Sequence, residues 1–256
     1  MNNQNYTIAE DYKLPSEAKI YSQDFDPNIR LRSMTVRDEM KRLAPSVYAH
    51  KTLCEIIDSC LLTKLPMSVY DLCVGDYEYL LHKLRIVTYG PEYKMVVGCP
   101  HEGCNSVHEE IVDLDSLTIR ELDMEKYKNS TTFILPKSNK EIKIKMQTPR
   151  ILDNIDYKVK DFKKKNPNVE YDMTPVITLQ EMIELVDGKK LSYAELENFI
   201  NNLSARDYNY INSKINTLNS LIGIEGKLTL NCKKCGGEIL TFFRFGPEFF
   251  RPTTDE

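Results

Sequence analysis

Four of the seven cysteines stand in two closely spaced pairs, Cys99 with Cys104 and Cys232 with Cys235, and no other feature limits the fold as much. Cys232-Lys233-Lys234-Cys235-Gly236-Gly237 has the form of a zinc knuckle. Two thiolates two residues apart point into one tight turn, whose N–H groups stabilise sulfur charge and whose glycines supply positive φ. Cys99-Pro100-His101-Glu102-Gly103-Cys104 is the matching half, with four residues between the thiols, the wide end of structural zinc spacing. A shared site made by Cys99, Cys104, Cys232 and Cys235 has to bridge the 127 residues from 105 to 231. Loop closure costs grow only logarithmically with length, and metal binding on the order of 10 kcal/mol offsets them. The intervening stretch then becomes an insertion whose ends the metal holds.

Zinc is the first choice of ion for such a set, with an iron–sulfur cluster behind it. Two separate reduced pairs, or a redox motif at Cys232 and Cys235, are the other readings. A thioredoxin-type motif sits where a strand meets a helix, whereas strand-like segments flank both pairs here. His101 and His108 are near enough to replace a cysteine, but beside a complete four-cysteine set each reads as a bystander. A four-ligand site leaves no open position, so its role is structural. Cys54, Cys60 and Cys73 lie among apolar residues and read as small core thiols.

The 256 residues suffice for one large domain or two small ones. The net charge of -4 argues against a nucleic-acid binder, and no apolar run approaches the roughly 18 residues that insertion across a membrane needs. Met1-Asn2-Asn3-Gln4-Asn5-Tyr6 carries no basic, then apolar, secretion signal, so the chain is expected to be intracellular and its cysteines reduced. There is no phosphate-cradling glycine loop, no nucleophile elbow and no His-Glu-x-x-His helix. Neither a catalytic residue nor a small-molecule substrate is expected.

The fold class reads as α+β: an N-terminal helical layer, a small β region with the zinc-ribbon-like four-cysteine site made from two distant hairpins, and a helical insertion. Residues 1–13 read as a flexible arm. Residues 14–125 with 226–256 form the zinc-clamped core, 126–148 a β segment and 149–225 the insertion. Strands are expected over 29–34, 93–98, 107–112, 118–122, 132–135, 141–147, 227–230 and 239–245. Helices are expected over 36–43, 46–62 and 76–87, and again from 149 to about 222. Thr35 with Asp38, Ser192 with Glu195, and Ser204 with Asp207 have cap spacing. Asp187-Gly188 reads as a helix stop.

Five phenylalanines, Phe242, Phe243, Phe245, Phe249 and Phe250, crowd the C-terminal segment. Phe243 and Phe245 read as core. Phe249 and Phe250 either fold back or, with Arg251, anchor a partner. The run Lys158-Val159-Lys160-Asp161-Phe162-Lys163-Lys164-Lys165 is a solvated helix end, or a contact with nucleic acid or an acidic partner.

Several segments in order resemble the T-even-phage (T4-like) baseplate proteins of contractile tails. They are Leu14-Pro15-Ser16, Ile29-Arg30-Leu31-Arg32-Ser33-Met34-Thr35-Val36-Arg37-Asp38-Glu39, and Leu84-Arg85-Ile86-Val87-Thr88-Tyr89-Gly90 ahead of Cys99-Pro100. The terminal Phe249-Phe250-Arg251-Pro252 completes the set. The resemblance implies a non-enzymatic structural protein of the baseplate hub, or a hub assembly factor, whose partners are other baseplate or hub proteins. It also implies synthesis in the bacterial host cytoplasm and a place in the virion tail or an assembly intermediate. The competing reading from the residues alone is a nucleic-acid-binding zinc-ribbon protein.

Overall fold

In the computed structural model, which describes residues 7–243 and 247–250, the alternation of Ile29 and Leu31 with arginines yields a strand with one buried face. Strand β1 (Ala9–Lys13) pairs antiparallel with β2 (Asn28–Arg32) over its whole length. That pairing corrects the loose arm expected for this stretch, because β2 supplies the partners β1's backbone needs. Residues 1–6 of that arm lie outside the described residues. Helix α1 (Val36–Arg42) opens on the expected Thr35 and Asp38 capping box. Helix α2 (Ala49–Cys60) starts later than expected, leaving Val47 exposed ahead of it. Its first amides, at His50 and Lys51, are capped by the carboxylate of Asp153, a residue distant in sequence. Helix α3 (Val74–Tyr89) is buried around most of its circumference and ends at Gly90, whose φ is 86°.

Two hairpin strands follow, β3 (Glu92–Gly98) and β4 (Val107–Asp113), paired antiparallel from end to end. The strand expected over 118–122 shortens to β5 (Ile119–Arg120). Helix α4 (Met124–Thr131), absent from the sequence reading, is nucleated by Asp123, whose side chain accepts from the amides of Glu125 and Lys126. Strands β6 (Thr132–Ile134) and β7 (Glu141–Ile144) form a hairpin whose turn includes Asn139 at positive φ.

Helix α5 (Pro149–Lys165) and helix α6 (Thr174–Met182) lead into β8 (Ile183–Val186), a strand inside the stretch expected to be all helix. β8 pairs with β7, so the β segment and the helical stretch share one sheet, β6-β7-β8. Asp187-Gly188 ends this strand, not a helix: both residues have positive φ, and Val186 bridges to Lys189 across the turn. Helix α7 (Tyr193–Asn201) carries the second expected capping box, and helix α8 (Ala205–Asn219) is capped by Ser204. Strand β9 (Gly223–Ile224) pairs with β5. Strands β10 (Lys227–Asn231) and β11 (Glu238–Phe242) form the last hairpin, and Pro247–Phe250 makes a 3-10 turn.

Among the described residues, the buried hydrophobic side chains fall into three clusters. The largest surrounds α3 and takes in Ile29, Leu31, Leu80 and Leu84 together with Phe243, Phe249 and Phe250. The second joins Ile142 and Ile144 of the sheet to Leu179, Ile211 and Leu218 of the helices. α3 meets β9 where Gly75 and Gly223 touch: a Cβ on Gly75 would lie 2.5 Å from the Ile222 carbonyl oxygen. Only glycine permits that approach. The third cluster is small and lies between the two cysteine-bearing hairpins.

Candidate metal centre

Each hairpin ends in a knuckle whose backbone turns its thiols inward. In the first, the Cys99 amide donates to the Ser106 carbonyl at 2.9 Å, and the Cys104 amide to that of His101 at 3.1 Å. Gly103 and Asn105 take φ values of 79° and 44°, which lets the knuckle residues fold back between β3 and β4. In the second, the Cys232 amide donates to Gly237 and the Gly236 amide to Cys232, each at 2.8 Å, with Gly236 at φ 72°. The long stretch between the pairs does not separate them in space. The Sγ atoms of Cys99, Cys104, Cys232 and Cys235 all lie within 4.8 Å of one another.

The sulfur spacing tests whether an ion fits. Four thiolates about 2.3 Å from one tetrahedral ion stand about 3.8 Å apart. Cys99 and Cys235 are 3.6 Å apart, and Cys104 and Cys232 are 3.7 Å apart. Both distances suit two edges of one such tetrahedron, so the set could hold one ion. Cys99 and Cys232 are buried, Cys104 is partly buried and Cys235 is exposed at the rim. Val97 and Ile239 floor the site, with Met95 and Leu230 beside them.

Ser106 is a polar member of the site that the cysteine spacing does not reveal. Its Oγ is 3.1 Å from Cys232 Sγ and 3.4 Å from Cys104 Sγ. The hydroxyl, followed by the backbone N–H of Cys235, draws the Cys232 thiol down to about 5, and it lowers Cys104 as well. Cys99 goes the other way, to about 12: the His101 N–H pulls it down, but burial and the three neighbouring thiols together push it up. Crowded thiols resist losing every proton, and a divalent cation removes that resistance. Lys233 Nζ reaches the Glu109 carbonyl at 2.6 Å and Lys234 Nζ the Cys104 carbonyl at 3.3 Å, placing two cations by a site of excess negative charge.

Both histidines lie outside the four-sulfur set. His101 Nδ1 is 3.4 Å from Cys99 Sγ, and its ring covers Gly237 so closely that a Cβ there would come within 2.5 Å. His108 Nε2 faces Glu110 at 3.1 Å. Cys54, Cys60 and Cys73 are buried, and desolvation pushes the Cys60 thiol up to about 11.

Of the two readings of the aromatic segment, the structure follows the fold-back: Phe249 and Phe250 are each 1% exposed and sit in the core. Phe249 packs against Phe243 and Tyr93 with ring centroids 5.3 and 5.6 Å apart. Arg85, itself fully buried, donates from Nε to the Phe249 carbonyl at 3.1 Å and from its other nitrogens to Gly90 and Glu92. The rings fold back because α3 and β3 leave them an apolar slot and a donor for their backbone. Phe243 is buried as expected. Phe245 and Arg251 lie outside the described residues.

The lysine run is largely answered by carboxylates: Lys158 pairs with Glu181, Lys160 with Asp156 and Lys165 with Asp161. No helix among the described residues is long and apolar enough to cross a membrane. A family model described as T4 bacteriophage base plate protein matches residues 5–251. No curated protein and no solved structure matches the chain.

Proposed function

Because the chain belongs to the T4 bacteriophage base plate protein family, matched over nearly its whole length, we propose that it is a non-enzymatic structural or assembly protein of a contractile-tail baseplate. It serves as a hub component or as a factor that assembles the hub, through contacts with other baseplate or hub proteins. The family match carries this reading. It also implies a place in the virion tail; synthesis in the host cytoplasm, where thiols stay reduced, is part of the proposal.

The cysteine cluster supports a structural role for a bound ion. Cys99, Cys104, Cys232 and Cys235 would hold it, and zinc is favoured because a closed, single-ion thiolate set suits it best. When bound, the ion supplies cross-linking alone, since four protein ligands leave no position for water or substrate. The chain's own residues do the rest. Ser106 and the knuckle amides stabilise sulfur charge, and Lys233 and Lys234 tie one hairpin to the other. The carboxylates that answer the lysine run favour this reading over a nucleic-acid-binding zinc ribbon.

The test is a phage from which this protein is deleted, examined for baseplates and complemented in trans. Loss of baseplates, restored by the wild-type chain, is the expected outcome, and normal tails without the protein overturn the proposal. Mass spectrometry of purified particles then separates the two roles. A component remains in finished tails, whereas an assembly factor is found only in intermediates.

A further inference from the structure

Helix α1 has seven residues, and the one it buries is Asp38. A helix this short is not stable by propensity, and the usual remedy is to bury an apolar face. Here the anchors are polar instead. Asp38 accepts from Arg32 Nη1 at 2.8 Å and from Ser59 Oγ at 2.9 Å, besides closing the capping box with Thr35. Glu39 accepts from Tyr89 and from Arg42 Nε. The apolar face is left to solvent: Val36, Met40 and Leu43 are 78%, 69% and 70% exposed. Their spacing of four and then three places them in one stripe, the seam by which helices pair. Val47, just beyond, is also exposed.

Charge selects the occupant. Arg37, next to the stripe, has no ion pair among the described residues, and Lys41 is met only by an exposed pair with Glu55. Lys51, in the first turn of α2, is exposed as well. Of the acidic residues on α1, Asp38 is buried and Glu39 is engaged by Arg42. Arg37, Lys41 and Lys51 therefore stand against the one carboxylate of Glu55, and the outward balance is positive. A second copy seated on this face would set Arg37 and Lys41 against the same cations, which an isologous seam disfavours. We infer that α1 is a docking helix for an acidic amphipathic helix of another protein, with the partner's apolar residues at heptad spacing and its carboxylates flanking them. The inference deepens the contact role proposed above and rests on it.

The test uses the full-length protein and a labelled synthetic helical peptide with leucines at a and d and glutamates at e and g. A twin peptide carries lysine for glutamate. The acidic peptide is expected to bind, the lysine twin to bind about tenfold more weakly, and Met40→Ser with Leu43→Ser to weaken acidic-peptide binding by about tenfold or more. The double variant should melt with the wild type, since both side chains are exposed. Equal binding of the two peptides, or binding indifferent to the double substitution, overturns the inference. So does a dimer in sedimentation equilibrium that the same substitutions dissociate, which assigns the face to a second copy. Absence of any peptide binding removes this docking site and leaves the deletion test of the baseplate role to stand or fall by itself.

Discussion

At the scale of single residues, the four thiols make the sharpest demand, because none of them holds an ion alone. Cys99→Ser and Cys232→Ser each remove one ligand from a set whose sulfurs lie within 4.8 Å. Elemental analysis should find about one metal ion per chain in the wild type and a loss in both variants, since each pair supplies only half of a tetrahedron. Full retention in either variant would sink the shared site. Phe249→Ala tests a different kind of residue. Removing a ring that is 1% exposed and packed against Phe243 and Tyr93 should lower stability by about 3 to 5 kcal/mol in denaturant unfolding. A loss under about 1 kcal/mol would return the ring to the surface role suggested by its place near the chain end. The cysteines are legible because ligand spacing is written into neighbouring positions. The fate of Phe249 is not, since the donor that receives its carbonyl, Arg85, comes from a distant helix.

Elements are legible where their causes are local. The capping boxes at Thr35 and Ser192 each lie within four residues, and both helices start where the spacing places them. β8 escapes the sequence because its identity as a strand comes from β7, and four apolar-rich residues after a helix look like more helix. Asp187-Gly188 misleads for the same reason, since a turn with two positive φ values ends either kind of element. α1 shows what a local cause can carry. Burial pushes the Asp38 carboxyl up, but Arg32 and Thr35 hold it well below the usual carboxylate range. A depressed folded-state pKa means a contribution fully present above about pH 4, the unfolded value, and lost as pH falls below it. Asp38→Asn should therefore cost about 2 to 3 kcal/mol at neutral pH, and its difference from wild type should shrink under acid. Hydrogen exchange over residues 36–43 should accelerate in the variant. Unchanged protection there would mean that something other than Asp38 holds the helix.

Across the whole molecule, the four-cysteine cluster joins the tips of two hairpins whose bases share the largest core through Tyr93, Val112, Leu228 and Phe243. Between the tips the apolar cluster is small: Val97, Cys99, Cys232 and Ile239, with Met95, Cys104 and Leu230 at its edge. The second core, around Leu179, Ile211 and Leu218, contains no residue of either knuckle. Chelation should therefore act unevenly. Once the ion is removed under reducing conditions, amide exchange should rise across residues 92–113 and 227–242. The Pro247–Phe250 turn should loosen with them, because β11 feeds directly into Phe243 and the slot that receives Phe249. β7 and α8 should keep their protection. Uniform loss of protection would mean that the ion supports the entire fold cooperatively, and no change would mean that apolar packing alone holds the hairpins. The uneven response is expected because an ion held by the four thiols would contribute most at the knuckles, which the second core does not reach.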